Sequence, residues 1–333
     1  MTVIDEKTTD GLAIGGNSKP PPKGKMESFM EFMYDSKQGT VMGRTGISWL
    51  QIIAFYIFFY CFLAGFFSSV MVLFLQTLDV HYPARQLKHS KLGVHPGMGF
   101  RPHPTDFESS LIWIKTGDRD DQTKARIEYT KGLNDYFEGY NKNYETASNM
   151  TLEAGQRPVY VDCSLENPNK PDHTLCKVDL NAFGSCGNNT GYGYNIGQPC
   201  VLLKLNRIVN WLPESFDLND PNTPKELKDW VAAHLSNTTM PTKNQVYVTC
   251  DGEDLVDQEK MGQVSLHPPS ISASFFPYTN QPFYLSPVVM IQFHNPERGV
   301  MIDVVCKAWA KRIERNVNQQ LGAVRFSILV DRP

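Results

Sequence analysis

Between Arg44 and Asp79 the chain carries no charged residue. A stretch that long and apolar must be enclosed on every side by protein or lie in lipid. As a helix, Trp49 to Leu75 reaches roughly 40 Å at about 1.5 Å per residue, enough for a tilted crossing of a hydrocarbon core of about 30 Å. A soluble helix of this length would show a polar face, yet only Gln51, Ser68, Ser69 and Gln76 interrupt the run. A cleaved signal peptide would need its apolar core much nearer the start, where Gly, Ser, Pro and Lys stand instead. The run occurs once, so the chain reads as a tail (1–47), a transmembrane helix (48–76) and a large remainder on the opposite side.

Basic residues do not orient the span, since Lys37 and Arg44 flank one end while Arg85, Lys88 and Lys91 flank the other. Cysteines and sequons do. Cys163, Cys176, Cys186, Cys200, Cys250 and Cys306 all follow the span, an even set as expected where thiols pair in an oxidising compartment, and Cys61 stands alone inside it. The acceptor sequons at Asn149, Asn188 and Asn237 lie on that same side. Together they predict a single-pass type II protein with a cytosolic N-terminus and an extracellular or lumenal C-terminal part. The six cysteines allow about 15 complete pairings. Nearest-neighbour pairing would close two short loops and one long one, worth about 3, 3 and 4 kcal/mol.

A net charge of −3 with no basic cluster gives no sign of a nucleic-acid partner. Residues 1–47 are polar and Pro/Gly-rich at first, and Met26 to Tyr34 has the pattern of a short amphipathic helix at the membrane surface. After the span, His95 to Pro104 reads as an extended Pro/Gly connector. The histidines at 81, 89, 95 and 103 match no usual metal-ligand spacing. Ile127, Leu133, Phe137 and Tyr140 recur at helical spacing and predict one sizeable helix over 121–141. Short strands are then expected at 158–162, 200–205, 245–250, 288–293, 300–305 and 324–330, the third and last with one wet face. The Pro- and Asn-rich stretch 213–224 reads as a surface loop. The fold class is mainly β: an antiparallel sandwich at 158–333, preceded by a connector and helical segment at 77–157.

No P-loop, Gly-x-Gly-x-x-Gly, Gly-x-Ser-x-Gly or His-Glu-x-x-His is present, and no cofactor or metal site is expected. Asp118-Arg-Asp120-Asp121 is the one hint of an enzyme, since lumenal glycosyltransferases hold metal and nucleotide sugar with an Asp-x-Asp element. A polar loop opening a helix explains the same acids. A lectin-like receptor is the other alternative, but Glu166-Asn167-Pro168 has the wrong order for a carbohydrate tripeptide and Lys170-Pro-Asp172 lacks its leading amide.

Several segments, from about Met33 onward, carry a resemblance to a known family: Gly43-Arg-Thr-Gly46 with Ser48-Trp49; Phe55-Tyr-Ile-Phe-Phe-Tyr60 and Leu63-Ala-Gly65; Pro96-Gly-Met-Gly-Phe-Arg-Pro102; Tyr192-Gly-Tyr194 and Gly197-Gln-Pro-Cys200; Lys204-Leu-Asn-Arg207; Pro277-Tyr278 and Tyr284-Leu-Ser-Pro287. In these the chain resembles the beta subunit of the sodium/potassium-transporting ATPase; the proton/potassium ATPase subunit shares most of them. The resemblance implies an immunoglobulin-like sandwich with one helix and a non-catalytic accessory subunit at the plasma membrane. Its partner would be the catalytic alpha subunit of a P-type ATPase, whose folding and export it supports and whose potassium affinity and occlusion it tunes. The resemblance also allows a small single-span regulatory subunit as a further partner, and the span itself implies membrane lipid. The family's disulfides map onto Cys163 with Cys176, Cys186 with Cys200, and Cys250 with Cys306.

Within the span, Ala54, Cys61, Gly65, Ser68 and Val72 form a narrow stripe of mostly small residues that permits close helix approach, and Tyr56 and Tyr60 lie on another face. The family's helix touches two alpha-subunit helices, which suits two faces. Phe275, Phe276 and Tyr278 fall where the family has its Tyr-Tyr-Pro-Tyr-Tyr-Gly-Lys element, implied to face the alpha subunit; here it reads Phe275-Phe-Pro-Tyr-Thr-Asn-Gln281, aromatic but poorer in hydroxyls. Cys61 replaces the family's usual glycine.

Overall fold

The computed structural model describes residues 24–36, 38–79, 82–91, 93–103, 109–117, 119–150, 157–163, 174–235 and 244–332. They form two compact units that divide between Thr77 and Leu78.

The first unit holds helix α1 (Lys25–Met33), three two-residue strands β1 (Tyr34–Asp35), β2 (Thr40–Val41) and β3 (Arg44–Thr45), and helix α2 (Gly46–Gln76). Met42 and Gly43 both have positive φ, the conformation that lets a two-residue turn join β2 to β3. The Trp49 indole N–H donates to the Val41 carbonyl at 2.9 Å and ties the start of α2 to this hairpin. With 31 residues α2 is about 46 Å long. It is long and apolar enough to cross a membrane, and none of its residues is buried.

The second unit is built on two sheets. Its strands are β4 (Met98–Arg101), β5 (Leu111–Ile114), β6 (Val159–Asp162), β7 (Thr174–Lys177), β8 (Cys200–Leu205), β9 (Gln245–Gly252), β10 (Val264–His267), β11 (Ser270–Ser272), β12 (Val288–Phe293), β13 (Met301–Trp309) and β14 (Ala323–Val330). Its helices are α3 (Asp120–Asn149), α4 (Lys225–His234) and α5 (Leu255–Met261). One sheet has the order β10-β12-β8-β4 and the other β11-β9-β13-β14-β5, with β6 and β7 paired separately. All six strands expected from the sequence are present, and the expected helix runs eight residues further, to Asn149.

Three expectations are corrected. The Pro/Gly stretch after the span contains β4, an edge strand, which is where a segment ending at a proline can join a sheet. Together with β5 it brings residues before 158 into the sandwich, so the expected boundary at 158 does not bound the sheets. The sandwich is also not wholly antiparallel, since β5 lies parallel to β14. The expected wet face of β9 is covered: Leu227 of α4, with Val231, Phe216 and Leu218, packs on Tyr247 and Trp309. The stretch 213–224 therefore lends two side chains to a second small core rather than forming only a surface loop.

Strand parity decides what faces where. Phe100 stacks on Phe326 at 5.1 Å between ring centroids, and Phe326 meets Phe293 at 6.4 Å, which marks these residues as the inter-sheet core. Phe100 pairs with Leu203, so the next residues along, Arg101 and Lys204, point to the outer face. Helix α3 covers that face, with Phe137 against Phe183 and Tyr192. Its first turns are anchored by Arg126, which donates from Nη1 to the Lys115 and Gly117 carbonyls at 2.7 Å each. Near the far end of the helix, Tyr140 donates to the Ser286 carbonyl at 2.7 Å. Because both faces are covered, β8 and β12 are buried almost throughout.

Candidate functional site

On α2, Tyr56 and Tyr60 stack with their ring centroids 6.1 Å apart, and Phe55 and Phe59 stack beside them at 6.2 Å. At about 100° per residue the two tyrosines lie on the side of the helix opposite the stripe of Cys61, Gly65 and Ser68. Cys61 is free and exposed. A Cβ added at Gly65 would meet nothing, and the Gly65 carbonyl accepts from the Ser69 hydroxyl at 2.8 Å. The helix thus offers a small-residue groove and an aromatic ridge, both without partners among the described residues of their own unit.

Cys163–Cys176, Cys186–Cys200 and Cys250–Cys306 are bonded. The last pair faces across antiparallel β9 and β13, with Cα atoms 4.1 Å apart. Cys186–Cys200 closes a compact loop that holds the Tyr192-Gly-Tyr194 motif. Gly193 has φ +74°, and a side chain there would collide with the Gln198 carbonyl. Tyr194 is fully buried and donates to the Cys200 carbonyl at 3.0 Å.

Phe275, Phe276 and Tyr278 form a half-buried ridge beside the main core. Phe276 meets Trp211 edge-on at 5.1 Å. Tyr278 packs against Tyr284 at 4.9 Å and donates to Asn280 at 2.8 Å. The Arg207 guanidinium lies 5.3 Å from both tyrosine rings. Phe275 and Phe276 are thus partly engaged in holding the domain together, while each remains partly exposed.

Of the sequon asparagines, Asn149 is the exposed last residue of α3 and Asn188 is exposed in the disulfide loop. Asn237 lies outside the described residues, as do Asp118, the tripeptides at 166–172 and His81. Asp120 and Asp121 open α3, where a helix N-terminus favours negative charge. Among the described residues no group of three or more His, Cys, Asp or Glu could hold a metal ion. The sequence reading missed one convergence. Arg101, Lys204 and Arg207, all inside motifs it singled out, gather around Tyr136 and Tyr284. The alternating charges of β4 and β8 hinted at an outer face, but not that α3 would cover it.

Among the described residues one apolar helix is long enough to span a bilayer, and it is joined to a disulfide-bonded two-sheet unit, the make-up of a membrane-anchored β-sandwich protein. Within that class the chain belongs to the sodium/potassium ATPase beta chain family, whose profile matches residues 19–326. It is 35% identical over 337 residues to the sodium/potassium-transporting ATPase subunit beta-2 of Drosophila melanogaster, across 99% of this chain and 100% of that protein. It is 33% identical to subunit beta-1 of the same organism, across 97% and 99%. Identity to the human subunit beta-2 is 27%, across 92% and 95%.

Proposed function

We propose that this chain is the non-catalytic accessory subunit of a P-type sodium/potassium-transporting ATPase, required for the folding, export and stability of the catalytic alpha subunit and setting its potassium affinity and occlusion. The observation that carries this reading is end-to-end similarity to sodium/potassium-transporting ATPase beta subunits, with an unburied apolar helix that needs a lateral partner. The protein sits in the plasma membrane as a single-pass type II chain. Three disulfides and two exposed sequon asparagines, all after α2, support an extracellular C-terminal unit.

In this reading the small-residue groove of Cys61, Gly65 and Ser68 receives one alpha-subunit helix at close approach, and the Tyr56–Tyr60 ridge packs against another. Phe275, Phe276 and Tyr278 supply aromatic anchors on the extracellular side. Purification from native membranes in mild detergent, followed by mass spectrometry, tests the assignment. A P-type ATPase alpha chain recovered near one-to-one is expected, and recovery of the protein without one would overturn the proposal. Replacing Tyr56 and Tyr60 with Ala should shift the potassium dependence of the assembled pump while leaving assembly intact; unchanged kinetics would remove the ridge from the mechanism.

A further inference from the structure

On the outer face of the four-stranded sheet, where α3 ends its crossing, lies a cavity of about 280 Å³ lined by Tyr136, Tyr140, Lys204, Arg207, Tyr284 and Ser286, among others. Its charged neighbours are all positive. The Lys204 ammonium lies 5.8 Å and the Arg101 guanidinium 5.2 Å from the centre of the Tyr136 ring. Arg207 is held by the Tyr278 and Tyr284 rings and donates from Nε to the Ser286 hydroxyl at 2.7 Å, and among the described residues its terminal nitrogens have no acceptor. No carboxylate among the described residues pairs with any of the three cations, although ion pairs occur elsewhere on the unit, as at Lys142–Glu138 and Lys307–Glu226. Arg101 Nε is buried with no acceptor.

Gathering three like charges at a partly buried site is unfavourable without a counter-charge. The strain shows in Lys204, whose ammonium is held below the ordinary lysine value by burial and then by Arg101 and Arg207. His103 is likewise held low, by burial and then by Arg101 and Lys204. Tyr136 and Tyr140 add no free donors. Tyr140 gives its only proton to the Ser286 carbonyl, so in the 2.9 Å contact between the two hydroxyls Tyr136 must be the donor. The charged donors facing the cavity are the Lys204 and Arg207 cations, and Asn143, Asn206, Ser286 and Tyr284 add neutral polar groups to the lining; an uncompensated positive charge among the donors favours a ligand that accepts hydrogen bonds and carries negative charge.

We propose that this cavity, between Lys204, Arg207, Tyr136 and Tyr284, binds a small oxyanion: a sulfate or carboxylate group, either free in solution or carried by an acidic sugar. The volume lies just below the roughly 300–1,000 Å³ of drug-sized ligand sites, which suits one such group or a single sugar ring. The site belongs to the C-terminal unit alone, so the inference does not rest on the subunit assignment.

Isothermal titration of the full-length protein in detergent, at constant ionic strength set with chloride, tests it with sodium sulfate, glucuronate and glucose. Saturable binding of sulfate or glucuronate without binding of glucose is expected. Stronger binding of sulfate identifies the free ion as the ligand, and stronger binding of glucuronate identifies the acidic sugar. Arg207→Gln, at an exposed position where the fold should be kept, should weaken binding about tenfold or more. Arg207→Lys should fall between, and Lys142→Gln, outside the cavity, should leave binding unchanged. Absence of saturable binding by either anion, equal binding of glucose, or an Arg207→Gln protein that melts normally and binds as before would overturn the proposal.

Discussion

In α2, Phe55, Tyr56, Phe59 and Tyr60 touch one another and remain exposed, Tyr56 by 49% and Tyr60 by 60%. In the C-terminal unit, Tyr140, Tyr194, Phe293 and Phe326 are buried, and both tyrosine hydroxyls bond to backbone carbonyls. The same residue types thus serve opposite ends. A helix whose aromatic rings have no neighbour beyond its own turns among the described residues of its unit is stabilised by what surrounds it. A sandwich whose rings close on one another, stapled by three disulfides, carries its stability within itself. Perturbations should therefore separate cleanly, melting one unit while leaving the properties of the other to assembly.

The largest effect should come from the long disulfide. Replacing Cys250 and Cys306 together with Ser frees a loop of 56 residues, which costs about 4 kcal/mol of a stability that is typically about 5–15 kcal/mol. The cell-surface yield and thermal midpoint of the variant measure it, and a midpoint close to the parent's would mean that the sheets need no staple. Leu227→Ala should cost about 3 kcal/mol, because this fully buried side chain fills the small core under α4. Denaturant titration gives that figure directly, and a loss under about 1 kcal/mol would show α4 to be a loosely held cover.

Tyr140→Phe leaves the Ser286 carbonyl without its donor and should cost about 1–2 kcal/mol. Smaller still is a pH effect at His267, half-buried, with its Nε2 3.1 Å from the Ser265 hydroxyl, which in turn is 2.9 Å from His294. Burial first, and the charge of His294 second, hold the His267 imidazole below its ordinary value of 6.5. As pH falls through that value the unfolded chain takes up the proton before the folded one. The stabilisation is therefore complete above the unfolded pKa and is lost toward the folded pKa. His267→Gln should flatten the acid slope of the thermal midpoint below about pH 6.5; an unchanged slope would assign it to other groups. At the far end of the scale, Tyr56→Ala with Tyr60→Ala should leave the melting of the sandwich within about 0.5 kcal/mol. A larger shift would break the separation of the two units.

The sequence made the long elements legible. The apolar helix, α3 and the five longer strands announce themselves by length and period, and four-residue β6 by its run of strand-favouring Val159, Tyr160 and Val161. Strands of three or four residues, such as β5, β7, β10 and β11, hold too few side chains to show a period. Helix α4 was readable and overlooked, since Leu227, Trp230 and Val231 stand at helical spacing directly after Pro224. The burial of β9 on both faces depends on that helix, so missing it made a covered face look wet. The choice among cysteine pairings became physical only through register, which sets Cys250 opposite Cys306. The cationic cavity was legible as motifs but not as a place, because Arg101 and Lys204 meet only through the pairing of β4 with β8.

In the five-stranded sheet, β14 is the last strand in chain order, yet it lies between β13 and the early strand β5, and the Trp113 indole donates to Asp331 across 218 residues of sequence at 2.7 Å. At a synthesis rate of about 5–20 residues per second, β5 waits roughly 10–40 s after emerging before its neighbour exists. During that time its edge and the apolar inner faces of both sheets are open to other chains. The five-stranded sheet is therefore among the last parts of the unit to close, and until β14 arrives β5 is an unpaired strand edge of the kind that invites wrong pairing.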